Sequence, residues 1–130
     1  MFKLLFIVSF SMCLFFSTVA SCKNEKKYSS GGPYYYKDWV SYTIPYKPYN
    51  EVTMEEAKTL NSYYEAYFDN NGKIILFTKY LNGEIEWSDK YFYTPDGLLG
   101  HREMTKANGE MQVQYFDKKG LIIREEKKEK

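Results

Sequence analysis

The sequence predicts a mainly β fold: an antiparallel six-strand meander of hairpin repeats, with one short N-terminal helix packed on it. Three observations carry this. From Tyr63 onward apolar and polar residues alternate with period two, the pattern of strands with one buried face. Glycines recur at 72, 83, 97, 109 and 120, each following Asn, Asp or Lys, which are turn signals at hairpin spacing. An aromatic-turn-glycine motif returns three times.

The first 21 residues stand outside the fold. Lys3 supplies a short positive start, and Leu4 to Val19 runs almost without a polar group. Small residues follow, as a signal peptidase requires. The run is shorter than the roughly 20 residues needed to cross a bilayer. An uncleaved anchor and a plain secretory signal with an incidental Cys22 are the competing readings. Both place the domain outside the cytoplasm.

Val19-Ala20-Ser21-Cys22 resembles the lipobox of bacterial lipoproteins: an aliphatic residue, two small residues and Cys. The resemblance implies that Cys22 is lipidated and becomes the first residue, so the membrane is a partner through its acyl chains. Two or three chains make such attachment effectively permanent. Under the sorting rule of such lipoproteins, Lys23 rather than Asp points to the outer membrane. Cys13 leaves with the leader, so the mature chain keeps no thiol for a disulfide or a nucleophile.

Removing Lys3 with the leader leaves 17 basic against 17 acidic residues in 22–130. That balance argues against nucleic acid as a partner. Residues 22–33 (CKNEKKYSSGGP) are polar and end in Ser-Ser-Gly-Gly-Pro, the composition of a flexible tether. Residues 34–130 form the single domain.

Tyr34 to Asn50 carries seven aromatics in seventeen residues. Asp38 to Ile44 is a candidate strand outside the meander, ended by Pro45 and Pro48. Thr53-Met54-Glu55-Glu56 is a capping box, with Thr53 and Glu56 bonding each other's N–H groups. It opens a helix over about 54–61. Glu55 and Glu56 point about 100° apart, so they are read as cap and dipole partners, not as an acid–base pair.

The six strands are expected at about 63–68, 73–81, 84–93, 98–105, 110–116 and 121–127. Ile85, Trp87, Tyr91 and Tyr93 share one face, as do Met111, Val113 and Tyr115. Asn82-Gly83 and Asn108-Gly109 suit two-residue hairpins in which both residues take positive φ. Asp69–Gly72, Pro95–Gly97 and Asp117–Gly120 suit type I turns closed by glycine. Tyr67–Ile74, Phe92–Leu99 and Tyr115–Ile122 are copies of one motif, so the repeat unit is a two-strand hairpin.

This motif resembles the YD-repeat family of bacterial surface proteins and the related MORN-variant repeats: aromatic, Asp, two variable residues, Gly, basic, aliphatic. Asp69 to Ile74 matches it. Leu121 replaces the basic residue in the last copy, and Thr94 replaces Asp in the middle one. The resemblance implies an antiparallel sheet used for structure, encapsulation or protein contact, with no catalytic residues.

His101 is the only His and is read as a surface residue. Nucleophile-elbow, P-loop and metal-ligand spacings are absent. The chain is therefore expected to be no enzyme, with no cofactor and no metal. The aromatic excess is the candidate binding site: Tyr34, Tyr35, Tyr36, Trp39 and Tyr42. Tyr and Trp combine contact area with a polar tip. The bland alternative is that they cover the sheet as core. The expected role is non-catalytic binding of an envelope protein, an immunity-like block on a delivered toxin being one form of it. The alternative is a glycan or peptidoglycan module using the Tyr/Trp patch.

Overall fold

The computed structural model describes residues 28–129. The leader, the lipobox and Cys22 lie outside the described residues. Eight antiparallel strands form one sheet in the order β2-β1-β3-β4-β5-β6-β7-β8. They are β1 (Gly31–Val40), β2 (Lys47–Val52), β3 (Ser62–Phe68), β4 (Ile74–Leu81), β5 (Glu84–Tyr93), β6 (Leu99–Lys106), β7 (Met111–Phe116) and β8 (Ile122–Lys128), with α1 (Met54–Ala57) between β2 and β3. Among the described residues no helix is long and apolar enough to cross a membrane.

The last six strands are the expected meander, each bound within one residue. The count of six falls short by β1 and β2: of the candidate strand Asp38–Ile44 only Asp38–Val40 lies on β1, which starts earlier, at Gly31, while residues 41–46 are not strand. Pro48 lies on β2, an edge strand, where a missing N–H can face away from the ladder. Pro33 lies where the β1–β3 register shifts, between Gly31 and Tyr34. Gly31–Pro33, expected at the end of the tether, are the first residues of β1.

The helix is half the expected length. Thr53 Oγ1 accepts from the Glu56 N–H at 3.2 Å, so half of the capping box forms. The Glu56 carboxylate instead pairs with Lys37 Nζ at 2.9 Å. Tight bonds from Thr59 N–H to the Glu56 carbonyl (3.1 Å) and from Leu60 N–H to the Ala57 carbonyl (3.0 Å) then turn the chain toward β3.

The turns fall into two kinds. Asn82 and Gly83 form the two-residue turn, with φ of 50° and 81°. The other four share one bonding pattern, starting at Asp69, Thr94, Lys106 and Asp117. In each, the first N–H donates to the fifth carbonyl, and the glycine N–H donates back to the first carbonyl. The expected two-residue turn at Asn108-Gly109 is therefore a three-residue loop. The Asn108 side chain accepts from the Glu110 N–H at 3.0 Å, and only Gly109 takes positive φ, at 88°.

One face of the sheet carries the core: Tyr36, Tyr64, Ala66, Phe68, Ile74, Phe77 and Tyr91. β1 pairs with β3 only as far as Tyr36; beyond it β1 pairs with β2 alone. The free end of this hairpin folds across the core face. Trp39 reaches Tyr64, Phe77 and Trp87 at centroid distances of 5.6, 6.1 and 5.3 Å. Tyr46 packs on Phe77 and Trp87. This burial of large rings is the main source of stability for the fold.

β7 buries residues on both faces: Val113, on the expected one, is 2 % exposed, and Gln114, on the other, 7 %. Tyr91 pairs with Arg102 and Arg102 with Gln114, so Gln114 shares the core face. Val113 and Tyr115 lie on the opposite face, across from Glu103 and His101.

Candidate functional site

A polar chain crosses the core face. The Tyr46 N–H donates to the Tyr91 hydroxyl oxygen at 3.3 Å, and that hydroxyl donates to Asp89 Oδ2 at 3.1 Å. Arg102 Nη1 donates to the same oxygen at 3.4 Å, and its Nε donates to Gln114 Oε1 at 2.7 Å. Gln114 Nε2 donates to Glu125 Oε1 at 2.6 Å. Asp89, Tyr91, Arg102 and Gln114 are buried; Glu125 ends the chain at the exposed edge. Burial pushes the Asp89 carboxyl up to about 6, against the pull of the Arg102 charge and the Tyr91 hydrogen bond. Burial, then the Asp89 charge, pushes the Tyr91 phenol up. The Tyr46 ring roofs the guanidinium at 5.4 Å. This arrangement fixes strand positions; each buried polar group has a partner, as burial demands.

The opposite face of the sheet is open, and two ladders of rings cross it. Tyr63 stacks on Tyr80 at 4.8 Å and meets Tyr35 edge-on at 6.0 Å. Glu65 lies in the same group, and burial pushes its carboxyl up against the Tyr35 hydrogen bond. In the second ladder Phe92 stacks on His101 at 4.3 Å and His101 on Tyr115 at 5.5 Å. The Arg124 guanidinium covers Tyr115 at 4.0 Å.

A third feature is a groove of about 320 Å³ walled by Tyr28, Tyr34, Tyr36 and Tyr49, with Asn50 and Glu51 on its rim. Tyr36 and Glu51 are directly paired across the β1–β2 ladder. Tyr28 stacks on Phe68 at 4.5 Å and stands at 87° to Tyr36. Its hydroxyl donates to the Pro48 carbonyl at 2.7 Å.

The five aromatics singled out in the sequence do not form one patch. Tyr36 is buried, and Trp39 is part of the aromatic packing of the core. Tyr34 leans on Phe68 and lines the groove. Tyr35 lies on the open face. Tyr42 is 87 % exposed, on the segment joining β1 to β2. Cys22 lies outside the described residues. Among the described residues no group of three His, Cys, Asp or Glu could hold a metal ion.

Sequence reasoning missed Tyr28, placed in the tether, and Tyr49 and Glu51, placed beyond a proline stop. It also missed Asp89, although the alternation Trp87–Asp89–Tyr91–Tyr93 places it among the core aromatics. The signal was a charge in phase with the rings. Neither the curated proteins nor the solved structures contain a match to this chain. A family model does match, over residues 31–125, from the first residue of β1 to Glu125 of β8. The chain thus belongs to a family of unknown function, DUF6156.

Proposed function

We propose that the protein is an envelope lipoprotein, anchored through Cys22, that acts as a non-catalytic module binding another envelope protein. One observation carries the reading. The β1–β2 hairpin covers one face of the sheet, and the opposite face carries two aromatic ladders, with Phe92 39 % exposed. Rings on an exposed sheet offer area at low entropic cost, which suits a protein interface. The buried polar chain supports the non-catalytic part. Its ionisable groups are committed to one another beneath Tyr46, not convergent on a cleft.

The glycan alternative draws support from the tyrosine groove. A sugar platform calls for coplanar rings, whereas Tyr28 and Tyr36 stand at 87°. The open face therefore ranks first.

The test is photo-crosslinking in the producing cells, with the crosslinker placed at Tyr80 or Phe92 of the full chain and at Tyr42 as control. One protein captured from the open-face positions alone supports the reading. Capture from Tyr42 only, or retention on cell-wall material with no protein captured, sinks it. The anchor has its own test: blocking lipoprotein signal peptidase should leave a longer precursor, and an unchanged mature mass would refute lipidation.

A further inference from the structure

We infer that β8 is a docking edge for a second copy of this chain, pairing antiparallel with the partner's β8 about a two-fold axis. The two ends of the sheet are built differently. At β2, Pro48 has no N–H to give, and its carbonyl already accepts from the Tyr28 hydroxyl at 2.7 Å. Asn50 leaves the extended conformation there, with φ of 60°. That edge is blunted against pairing. β8 carries neither proline nor a left-handed residue. Among the described residues no strand pairs with its outer side.

The repeat shows what that side accepts. β4, β6 and β8 each begin with a register shift against the strand before them. After the shift, Leu76, His101 and Arg124 pair with the equivalent aromatics Tyr67, Phe92 and Tyr115. From Leu76 and from His101 onward, β4 and β6 pair again on their other side. Only β8 lacks that second partner. Just before Arg124, Leu121, Ile122 and Ile123 are all exposed, an apolar run unusual for an edge left in water.

Charge selects both the occupant and the register. Residues opposite each other share a face, so a two-fold axis normal to the sheet must pass beside a residue and its own copy. With the axis at Glu125, Arg124 falls opposite the partner's Glu126, and Glu126 opposite the partner's Arg124. The stem of Lys127 crosses the partner's Ile123. With the axis at Glu126, Arg124 meets the partner's Lys128. With the axis at Arg124, two guanidiniums meet. With the axis at Lys127, Glu125 meets the partner's Glu129. Arg124 Nε and Glu126 Oε1 already lean together along the strand at 3.4 Å. The axis at Glu125 therefore gathers two Arg and two Glu into one alternating cluster. Its one like-charge contact is Glu125 against its copy. Each of those carboxylates accepts from Gln114 Nε2 at 2.6 Å and has the partner's Lys127 as diagonal neighbour.

The experiment is sedimentation equilibrium of the full chain in density-matched detergent. A monomer–dimer equilibrium is expected. Arg124→Glu or Glu126→Arg alone sets like charges against each other on both sides of the axis and should weaken the dimer about tenfold. Arg124→Glu combined with Glu126→Arg restores opposite charges and should recover it. Glu125→Gln keeps an acceptor for Gln114 and should tighten the dimer about threefold. A monomer at every concentration overturns the proposal. So does a dimer indifferent to the single changes, or one that the double exchange fails to restore. An open-ended series of larger species also overturns it, because β8 would then meet β2 head to tail.

Discussion

The backbone N–H of Tyr46 donates to the hydroxyl of Tyr91, 45 residues away in sequence, at 3.3 Å. That bond ties the first hairpin to the fifth strand. It also makes the Tyr91 hydroxyl both acceptor and donor, since the same group bonds Asp89.

Tyr91→Phe removes both roles and leaves a half-buried amide and a buried carboxylate each short of a partner. The expected cost is about 1–3 kcal/mol, read as a lower urea midpoint with an unchanged slope. Detachment of the hairpin would also raise the fluorescence response of Trp39 to quencher. A midpoint equal to the parent would show that the hairpin is held by ring packing alone.

Arg102→Met strands Asp89 in the core without its cation. Breaking a buried pair from one side costs about 3–5 kcal/mol. The double change Arg102→Met with Asp89→Asn removes the stranded charge and should recover most of that loss. Equal destabilisation by the single and double variants would mean that packing of the Arg102 stem, not its charge, matters.

The Asp89 carboxyl sets a pH dependence. Its native value is raised from 3.8 to about 6, so the native state holds this proton more tightly than the unfolded chain. The resulting stability is fully present below pH 3.8 and is lost as pH rises through about 6. Two units correspond to about 3 kcal/mol. The difference in unfolding free energy between Asp89→Asn and the parent should therefore change across that window and stay flat above pH 7. A constant difference from pH 3.5 to 7 would refute this.

Gly31 and Gly32 both take positive φ, 86° and 147°. A Cβ on Gly31 meets nothing within 4 Å, whereas one on Gly32 meets the Ala66 carbonyl oxygen at 2.8 Å. Gly31→Ala should cost about 1 kcal/mol, the conformational penalty alone. Gly32→Ala must also push β1 off β3 and should cost clearly more. Comparison of the two melting temperatures decides it.

The meander was legible because its signals are local. Turn glycines and period-two alternation repeat every hairpin, and neither depends on distant residues. The path of the first hairpin was not legible, because prolines at 45 and 48 read as stops while the edge position that tolerates Pro48 is a property of the whole sheet. That β7 buries residues on both faces was hidden for the same reason. Val113 looks like core and is buried, yet register with Arg102 puts Gln114 on the face of the aromatic core. The candidate site fared worst. Tyr34, Tyr35 and Tyr36 are adjacent in sequence, but a strand sends neighbours to opposite faces. The groove instead joins Tyr28, Tyr34, Tyr36 and Tyr49, which only the folded hairpin brings together.

From β4 to β8 every strand meets only its neighbours in sequence, and four turns share one bonding pattern. Two strands restore both chain direction and the identity of each face. Duplicating or deleting one hairpin would thus leave every remaining residue on its original side. In such an architecture the width of the sheet is a heritable dial, adjustable in steps of two strands, while the hairpin that wraps the core stays untouched at the other end.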